Sequence, residues 1–399
     1  MNEKNEVTLF PGMAGVTRDM ISKMKAEGVE LFSVDIMVTQ TCNFRCIYCY
    51  AEGDPKRTNK LSMKEAKSIV DDCVDLGVRI VNMQGGEPLI WKPDDWDGKA
   101  GEALFHLIEY IKGSFEKRNK PVSIVSFTDV AVITKEKAER LARLGASLCC
   151  KLDSLNEKTQ DRLLGCKGGL NKIMKGFGHL IEVGYGRKRD MPPLSTNTVV
   201  TAINYDDVPE VFRWSRSHGF RPFVVPVHVH GRAKDHSSSM LCGKSSGSTL
   251  NSHDIKRLFE KLAEIDGKEF GINWKAESPW GENKACSRHL GGIHVRADGI
   301  VVPCSEAPDY WALGDIRKAT LKELVFSEKV KRFRDIYSYL HENSKCSSTK
   351  CPLSAEKKCY GCRTRAYDDS AFDKDGNYDP SKLDNEAFFA GDPACWRTV

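Results

Sequence analysis

Between residue 31 and about residue 230, short β-rich runs alternate with stretches whose apolar positions recur every three to four residues. The runs Leu31–Val38, Val78–Met83, Val122–Phe127, Ala146–Leu152, Thr196–Ala202 and Phe223–Val229 predict six strands. Between the first two, Ser62-Met63-Lys64-Glu65 is an S-x-x-E capping box. It opens a helix with Ile69, Val70, Cys73, Val74 and Leu76 on its apolar side, and Lys135–Leu144 and Gly169–Val183 read as further helices. Strands separated by helices predict βα units around a parallel sheet. Six units suit a partial barrel, although periodicity alone does not separate it from an open sheet. Residues 231–252, Ser/Gly-rich over Ser237–Ser248, read as a linker or lid, and a short helix, Ile255–Ile265, follows. From about residue 280 the texture changes to turns and cysteines. A hairpin is expected over Ile293–Val302 with its turn at Asp298-Gly299, then one helical segment at Leu321–Leu340. The run Lys329–Arg334 on that segment reads as a solvated basic face rather than a contact for an anionic partner. There is no internal repeat.

Composition narrows the picture. With 399 residues, 40% hydrophobic and 29% charged, the chain can bury a core across two modest domains. Sixty Lys and Arg against 55 Asp and Glu leave a formal charge of +5, too mild to imply a nucleic-acid partner. No apolar stretch approaches the ~20 residues that span a bilayer. The first residues, Met1-Asn2-Glu3-Lys4-Asn5-Glu6, lack the apolar core of an export signal, so a cytoplasmic location is expected. Fifteen cysteines stand out in a chain of this kind and argue for metal or redox chemistry in a reducing compartment. They are unevenly spread. Cys42, Cys46 and Cys49 form one group, and Cys286, Cys304, Cys346, Cys351, Cys359, Cys362 and Cys395 form a second. Cys73, Cys149, Cys150, Cys166 and Cys242 stand alone or paired in apolar patterns and read as packing residues.

The first group lies in Thr41-Cys42-Asn43-Phe44-Arg45-Cys46-Ile47-Tyr48-Cys49-Tyr50, a C-x3-C-x2-C spacing just after the first predicted strand. Chance would produce that spacing only about 0.02 times in such a chain. Three thiolates on one loop can hold three irons of a cubane, leaving the fourth open. A structural zinc would want a fourth protein ligand, and no Cys or His follows promptly. Directly after the second predicted strand comes Gln84-Gly85-Gly86-Glu87-Pro88. Paired glycines permit close backbone approach, and a carboxylate suits an ammonium group.

These motifs resemble those of the radical S-adenosylmethionine (SAM) superfamily: the cysteine triplet with an aromatic residue, Tyr48, before its last member, and the GGEP motif that binds methionine. The resemblance implies a [4Fe–4S] cluster with an open iron site at Cys42, Cys46 and Cys49, and SAM bound near Gly85, Gly86, Glu87 and Pro88. Lys151 and Ser154 resemble contacts to the SAM carboxylate and ribose, and Asn197 a ribose contact. Asp153 is expected to face substrate as a catalytic acid, against the alternative that Asp153-Ser154 caps the next helix. His228 and His230 alternate at the end of the sixth strand, either touching substrate or serving structure.

Cys286 and Cys304 bracket the predicted hairpin, and the later cysteines follow at spacings x4, x7 and x2. This is similar to the SPASM extension of radical SAM enzymes, with its seven cysteines and up to two auxiliary iron–sulfur clusters, although the usual spacings there are x2, x5 and x3. By that resemblance Cys286, Cys304 and Cys362 would hold one cluster, and Cys346, Cys351, Cys359 and Cys395 the other. One shared site of Cys286, Cys304, Cys359 and Cys362 is the alternative, and a zinc ribbon a further one.

The implied architecture is α/β: a partial (β/α)6 radical SAM barrel followed by a small cysteine-rich α+β SPASM domain. The expected divisions are an extension (1–30), the core (31–230), a linker with bridging helix (231–280) and the auxiliary-cluster domain (281–399). The implied reaction is reductive cleavage of SAM to a 5′-deoxyadenosyl radical that abstracts a substrate hydrogen. An external flavodoxin- or ferredoxin-like reductant would supply the electron, with no nucleic-acid or membrane partner. Auxiliary [4Fe–4S] clusters would accept an electron or bind substrate. Peptide or protein modification is the leading expectation, and small-molecule chemistry on a sugar, aminocyclitol or tetrapyrrole the alternative. No peptide-recognition domain is evident in residues 1–30. Sulfatase-maturing relatives carry an acid directly after the second hairpin cysteine; here that residue is Ser305, with Glu306 one further on as the candidate base. A non-catalytic iron–sulfur binding protein is the remaining alternative, disfavoured by Gly85–Pro88.

Overall fold

The computed structural model describes residues 18–239, 250–279, 291–349, 351–355, 359–372, 379–383 and 386–397. After a short helix α1 (Arg18–Ala26), strands β1 (Ser33–Thr39), β2 (Ile80–Gly85), β3 (Ser123–Thr128), β4 (Ser147–Lys151), β5 (Leu194–Val200) and β6 (Arg221–Pro226) pair in sequence order, all parallel. Helices α2 (Met63–Asp75), α3 (Glu102–Glu116), α4 (Lys135–Arg143), α5 (Glu157–Leu164), α6 (Gly169–Val183) and α7 (Val208–Ser217) lie between them. This is a partial (β/α)6 barrel. All seven residues of β1 are buried, as a strand covered on both faces requires.

The capping box predicted at Ser62 forms in full: Ser62 accepts from the Glu65 amide, and Glu65 reaches back to the Ser62 amide. Helix α3 was not legible at its start, because it opens on Gly101 in the left-handed region with no side-chain cap. Its interior carries the periodic apolar set Leu104, Leu107, Ile108, Ile111 and Phe115, all fully buried.

Helix α8 (Ser252–Glu269) extends the predicted 255–265 segment at both ends, because Asn251 and Asp254 supply a second reciprocal cap. The hairpin β7 (Gly292–Val295) and β8 (Ile300–Val302), with β9 (Gly314–Asp315), joins the barrel's own sheet. Strand β7 runs parallel to β1, with Ser33 opposite Gly292 and Ile36 opposite Val295. The expected helix over Leu321–Leu340 is two helices, α9 (Leu321–Val325) and α10 (Glu328–Asn343). The division falls at Ser327, which caps α10 by accepting from the Val330 amide. Helix α11 (Arg363–Ser370) begins directly after Cys362. Among the described residues, no helix is long and apolar enough to cross a membrane.

Candidate active site between two cysteine fields

The loop after β1 carries Cys42, Cys46 and Cys49 to the C-terminal end of the parallel strands, where open α/β sheets place their sites. All three line a cavity of about 290 Å³. Backbone amides point at two of the sulfurs: Phe44 N–H donates to Cys42 Sγ at 3.4 Å and Gly53 N–H to Cys49 Sγ at 3.4 Å. Burial lifts all three thiols above their ordinary pKa, Cys46 to about 12, while at Cys49 the Gly53 amide and the Arg232 charge pull the other way. Buried thiols of this kind become thiolates when a metal compensates them. Among the described residues no three His, Cys, Asp or Glu are placed around one ion; a cubane spreads its thiolates over separate irons. This donor set fits such a cluster.

Gly85 and Gly86 form the adjoining wall. A Cβ on Gly86 would collide with the carbonyl oxygens of Gln40 and Thr41, so only glycine lets this turn lie against the cysteine loop. Glu87, expected to meet the cofactor, is instead fully buried behind the wall. It accepts from Leu89 N–H (2.9 Å), Thr128 Oγ1 (3.0 Å) and Asp129 N–H (2.7 Å), bracing the glycine turn against β3. Pro88 opens the 3-10 turn that follows, also buried. Burial and the neighbouring Asp129 carboxylate push Glu87 well above its ordinary pKa, and burial raises Asp129 to about 6. Asp129 lines the cavity with its carboxylate 3.9 Å from Cys42 Sγ. The sequence reading missed it, although its place just past the end of a predicted strand was the available signal.

Tyr48, Lys151 and Asn197 line the same cavity. Among the described residues, nothing hydrogen-bonds to the buried Asn197 Oδ1, which a ligand hydroxyl would satisfy. Lys151 Nζ lies 4.2 Å from the Tyr48 ring centroid and 2.8 Å from Asp153 Oδ2. Burial works against the Lys151 ammonium, but Asp153 more than offsets it and raises its pKa.

Asp153 itself does not line the cavity. It is fully buried, accepts from the Tyr48 phenol and from Val199 N–H at 2.9 Å, and so joins Tyr48 and Lys151 from behind the cavity wall. Ser154 is likewise turned away: its hydroxyl donates to Asp207 at 2.5 Å and accepts from Asn156 N–H at 2.9 Å, while Asn156 caps α5. Of the Cys149-Cys150 pair, Cys149 lines the cavity and Cys150 packs in the core behind it, as alternation requires.

The far end of the cavity belongs to the second cysteine field. Cys304, Ser305, Glu306, Cys362, Thr364 and Arg365 line it. Strand β6 ends at Pro226, so His228 and His230 sit in the following segment rather than on the strand. His228 Nδ1 lies 3.0 Å from Glu306 Oε2 and its Nε2 3.0 Å from Asp368 Oδ2, and His230 Nδ1 lies 2.9 Å from Asp368 Oδ2. Burial opposes the His228 imidazolium, yet Glu306 and Asp368 raise its pKa to about 10, and Asp368 is held below the usual carboxylate range by the two histidines despite its burial.

Behind this end lie Cys346, Cys351, Cys359 and Cys395; burial raises the Cys346 thiol, and raises Cys359 and Cys395 to about 12, with neighbouring thiols of the group adding to each shift. Arg363 Nη2 lies 3.8 Å from Cys346 Sγ, and Asp392 accepts from Cys362 N–H at 2.9 Å and from Arg365 at 3.3 Å. Cys286 and Cys242 lie outside the described residues. A second cleft, of about 840 Å³, shares Tyr50 and Ser305 with the first and is bounded by His230, Lys234 and Asp368.

Comparison with known proteins agrees with this arrangement. Residues 36–215 match the radical SAM superfamily, and residues 286–362 match the SPASM iron–sulfur cluster-binding domain. The chain is 26% identical over 288 residues to a probable GTP 3′,8-cyclase of Methanococcus vannielii, covering 70% of this chain and 87% of the relative. It is 25% identical over 346 residues to an AdoMet-dependent heme synthase of Methanosarcina barkeri, covering 83% and 90%. The fold is that of native anSMEcpe with bound AdoMet and Cp18Cys peptide, at TM-score 0.62, 20% identity, and 90% and 95% of the two chains.

Proposed function

The chain belongs to the radical SAM superfamily and carries a SPASM-type iron–sulfur domain, and on that premise we propose that it modifies a peptide or protein by hydrogen abstraction. One observation carries the reading: a single cavity is lined at one end by Cys42, Cys46 and Cys49 and at the other by Cys304, Glu306 and Cys362. When bound, the SAM-ligated cluster supplies an electron that cleaves SAM to methionine and a hydrogen-abstracting 5′-deoxyadenosyl radical. Cys42, Cys46 and Cys49 would hold that cluster. Gly85 and Gly86 offer backbone to the methionine moiety, and Lys151 and Asn197 offer side chains to the carboxylate and ribose. Glu87 and Asp153 hold these groups in place from behind.

Cys304 and Cys362, with Cys286, would hold one auxiliary cluster, and Cys346, Cys351, Cys359 and Cys395 the other. Phe127, Phe223 and Val225 give the cavity an apolar wall. Glu306, held by His228, is the carboxylate placed to exchange a proton with substrate at the far end. A flavodoxin- or ferredoxin-like reductant in a reducing, cytoplasmic compartment completes the scheme.

The adjoining 840 Å³ cleft favours an elongated substrate whose flanking residues lie outside the reaction cavity. Small-molecule chemistry is the second reading, favoured by the relative named as a heme synthase, which matches 83% of this chain. The test is anaerobic turnover of the reconstituted protein with SAM and dithionite, followed by addition of deuterated precursor peptides encoded beside its gene. Deuterium in 5′-deoxyadenosine and a mass loss in the peptide are expected. Failure to form 5′-deoxyadenosine at all would sink the radical reading, and label from a small molecule alone would select the second.

A further inference from the structure

Immediately after His230 the chain passes beneath the cysteine loop. Gly231, at φ +56°, lies so close that a Cβ would collide with the Tyr50 carbonyl oxygen, and the Arg232 amide donates to the Cys49 carbonyl at 3.2 Å. The Arg232 side chain is 8% exposed. Its Nη1 donates to the Cys46 carbonyl at 2.8 Å and its Nη2 to the Gly53 carbonyl at 3.0 Å. One planar fork therefore joins the two ends of residues 46–53 across the loop. The Gly53 residue it fixes is the one whose amide donates to Cys49 Sγ at 3.4 Å.

Both hydrogen bonds go to carbonyls. They engage two of the guanidinium's five donors and leave its full positive charge, which arginine does not lose. A buried cation is stable only beside compensating negative charge; the Asp54 carboxylate, next to Gly53 and held below its ordinary range by the Lys56 amide and in part by Arg232, supplies some of it, and the loop's thiolates would add to it when metal is bound.

We propose that Arg232 is a positioning residue that clamps the Cys46–Gly53 arc and sets the reduction potential of the iron–sulfur cluster held by Cys42, Cys46 and Cys49. The inference rests on the radical SAM reading above. A fixed cation favours the reduced, more negative cluster, so it makes the first electron easier to accept. Lysine at this position would keep the charge but not span both carbonyls, and glutamine would lose the charge.

The test is an EPR-monitored redox titration of full-length reconstituted protein, following the signal that changes on SAM addition, together with the rate of iron loss to a chelator. Arg232→Gln is expected to lower the reduced-to-oxidised ratio at fixed potential about tenfold, which is a shift of about 59 mV for one electron. Arg232→Lys is expected to titrate as the wild type but to release iron several-fold faster. A Gln variant titrating at the wild-type midpoint, or a Lys variant holding iron as long as the wild type, overturns the proposal. If the Gln variant assembles no cluster, the Lys variant's iron release decides. A wild-type protein with no SAM-responsive signal would overturn the functional reading itself, an outcome distinguishable from these.

Discussion

Cys42, Cys46 and Cys49 sit on one short loop fed by β1, a strand buried along its whole length, and are backed by Phe44 and a large continuous core. Cys346, Cys351, Cys359 and Cys395 are gathered instead from separate segments with only single helical turns between the first three. Among the described residues the apolar cluster beside them is Leu340, Tyr360, Tyr367, Ala387 and Phe388, with Trp311, Phe333, Leu383 and Phe389 packed against it. Polar groups do much of the holding there. Arg363, fully buried, donates to the carbonyls of Phe388 (3.0 Å) and Ala390 (2.9 Å), and Asp392 ties Cys362, Ala394 and Arg365. The first field borrows its shape from the sheet. Among the described residues the second has less apolar area to draw on, so metal bound there would contribute directly to its folding.

Iron removal should break the symmetry between them most strongly. Chelation is expected to cost the amides of 359–370 and 386–397 at least about 10³-fold in hydrogen-exchange protection, roughly 4 kcal/mol, while β1–β6 keep theirs. Equal losses in both regions would refute the contrast. Next in size, Asp392→Ala removes the partner of a buried guanidinium and two amides, a loss of about 3–5 kcal/mol. It should appear in the melt of the metal-loaded protein as an early transition separate from that of the barrel.

A smaller effect is expected in the first field. Asp153→Asn leaves the loop intact but releases Tyr48 and Lys151, so SAM affinity measured by equilibrium dialysis should fall about tenfold, about 1.4 kcal/mol, with auxiliary iron content unchanged. An affinity at the wild-type level would mean that these two side chains need no anchor.

The joint between the fields gives the smallest effect. His228 has its pKa raised in the folded protein to about 10, so its pairing with Glu306 and Asp368 contributes fully below the ordinary value of about 6.5. That contribution fades as pH climbs through about 10. Between pH 7 and 10 the melting temperature should drop on the order of 2 °C more in the wild type than in His228→Asn; parallel curves would show that the histidine carries no such linkage.

The barrel was readable because its signals are local. Short β-rich runs marked all six strands within a few residues, and Ser62-x-x-Glu65 marked a helix start that forms as drawn. Strand β6 stops at Pro226, two residues before His228, because pairing with β5 ends with Val200 opposite Pro226. The break at Ser327 was hidden inside an apparently continuous apolar pattern. At the site, spacing revealed Cys42, Cys46, Cys49 and the glycine pair. It could not reveal that Asp153 and Glu87 turn away from the cavity, since both are fixed by backbone amides of distant strands, Val199 and Asp129. Nor could it single out Arg232, whose partners lie about 180 residues earlier in the chain.

Strand pairing fixes how the two cysteine fields face each other across the sheet. Cys42 follows β1 and Cys304 follows β8, and β8 is pinned to β1 through β7. The separation between the centres is therefore counted in rungs of a shared ladder. A single residue inserted between Gly292 and Val302 would invert the faces of that hairpin and swing Cys304 to the opposite side. Were Cys42, Cys46 and Cys49 to hold one cluster and Cys304 to help hold another, main-chain register would set the gap an electron crosses between them, a gauge indifferent to whatever the outer surface is doing.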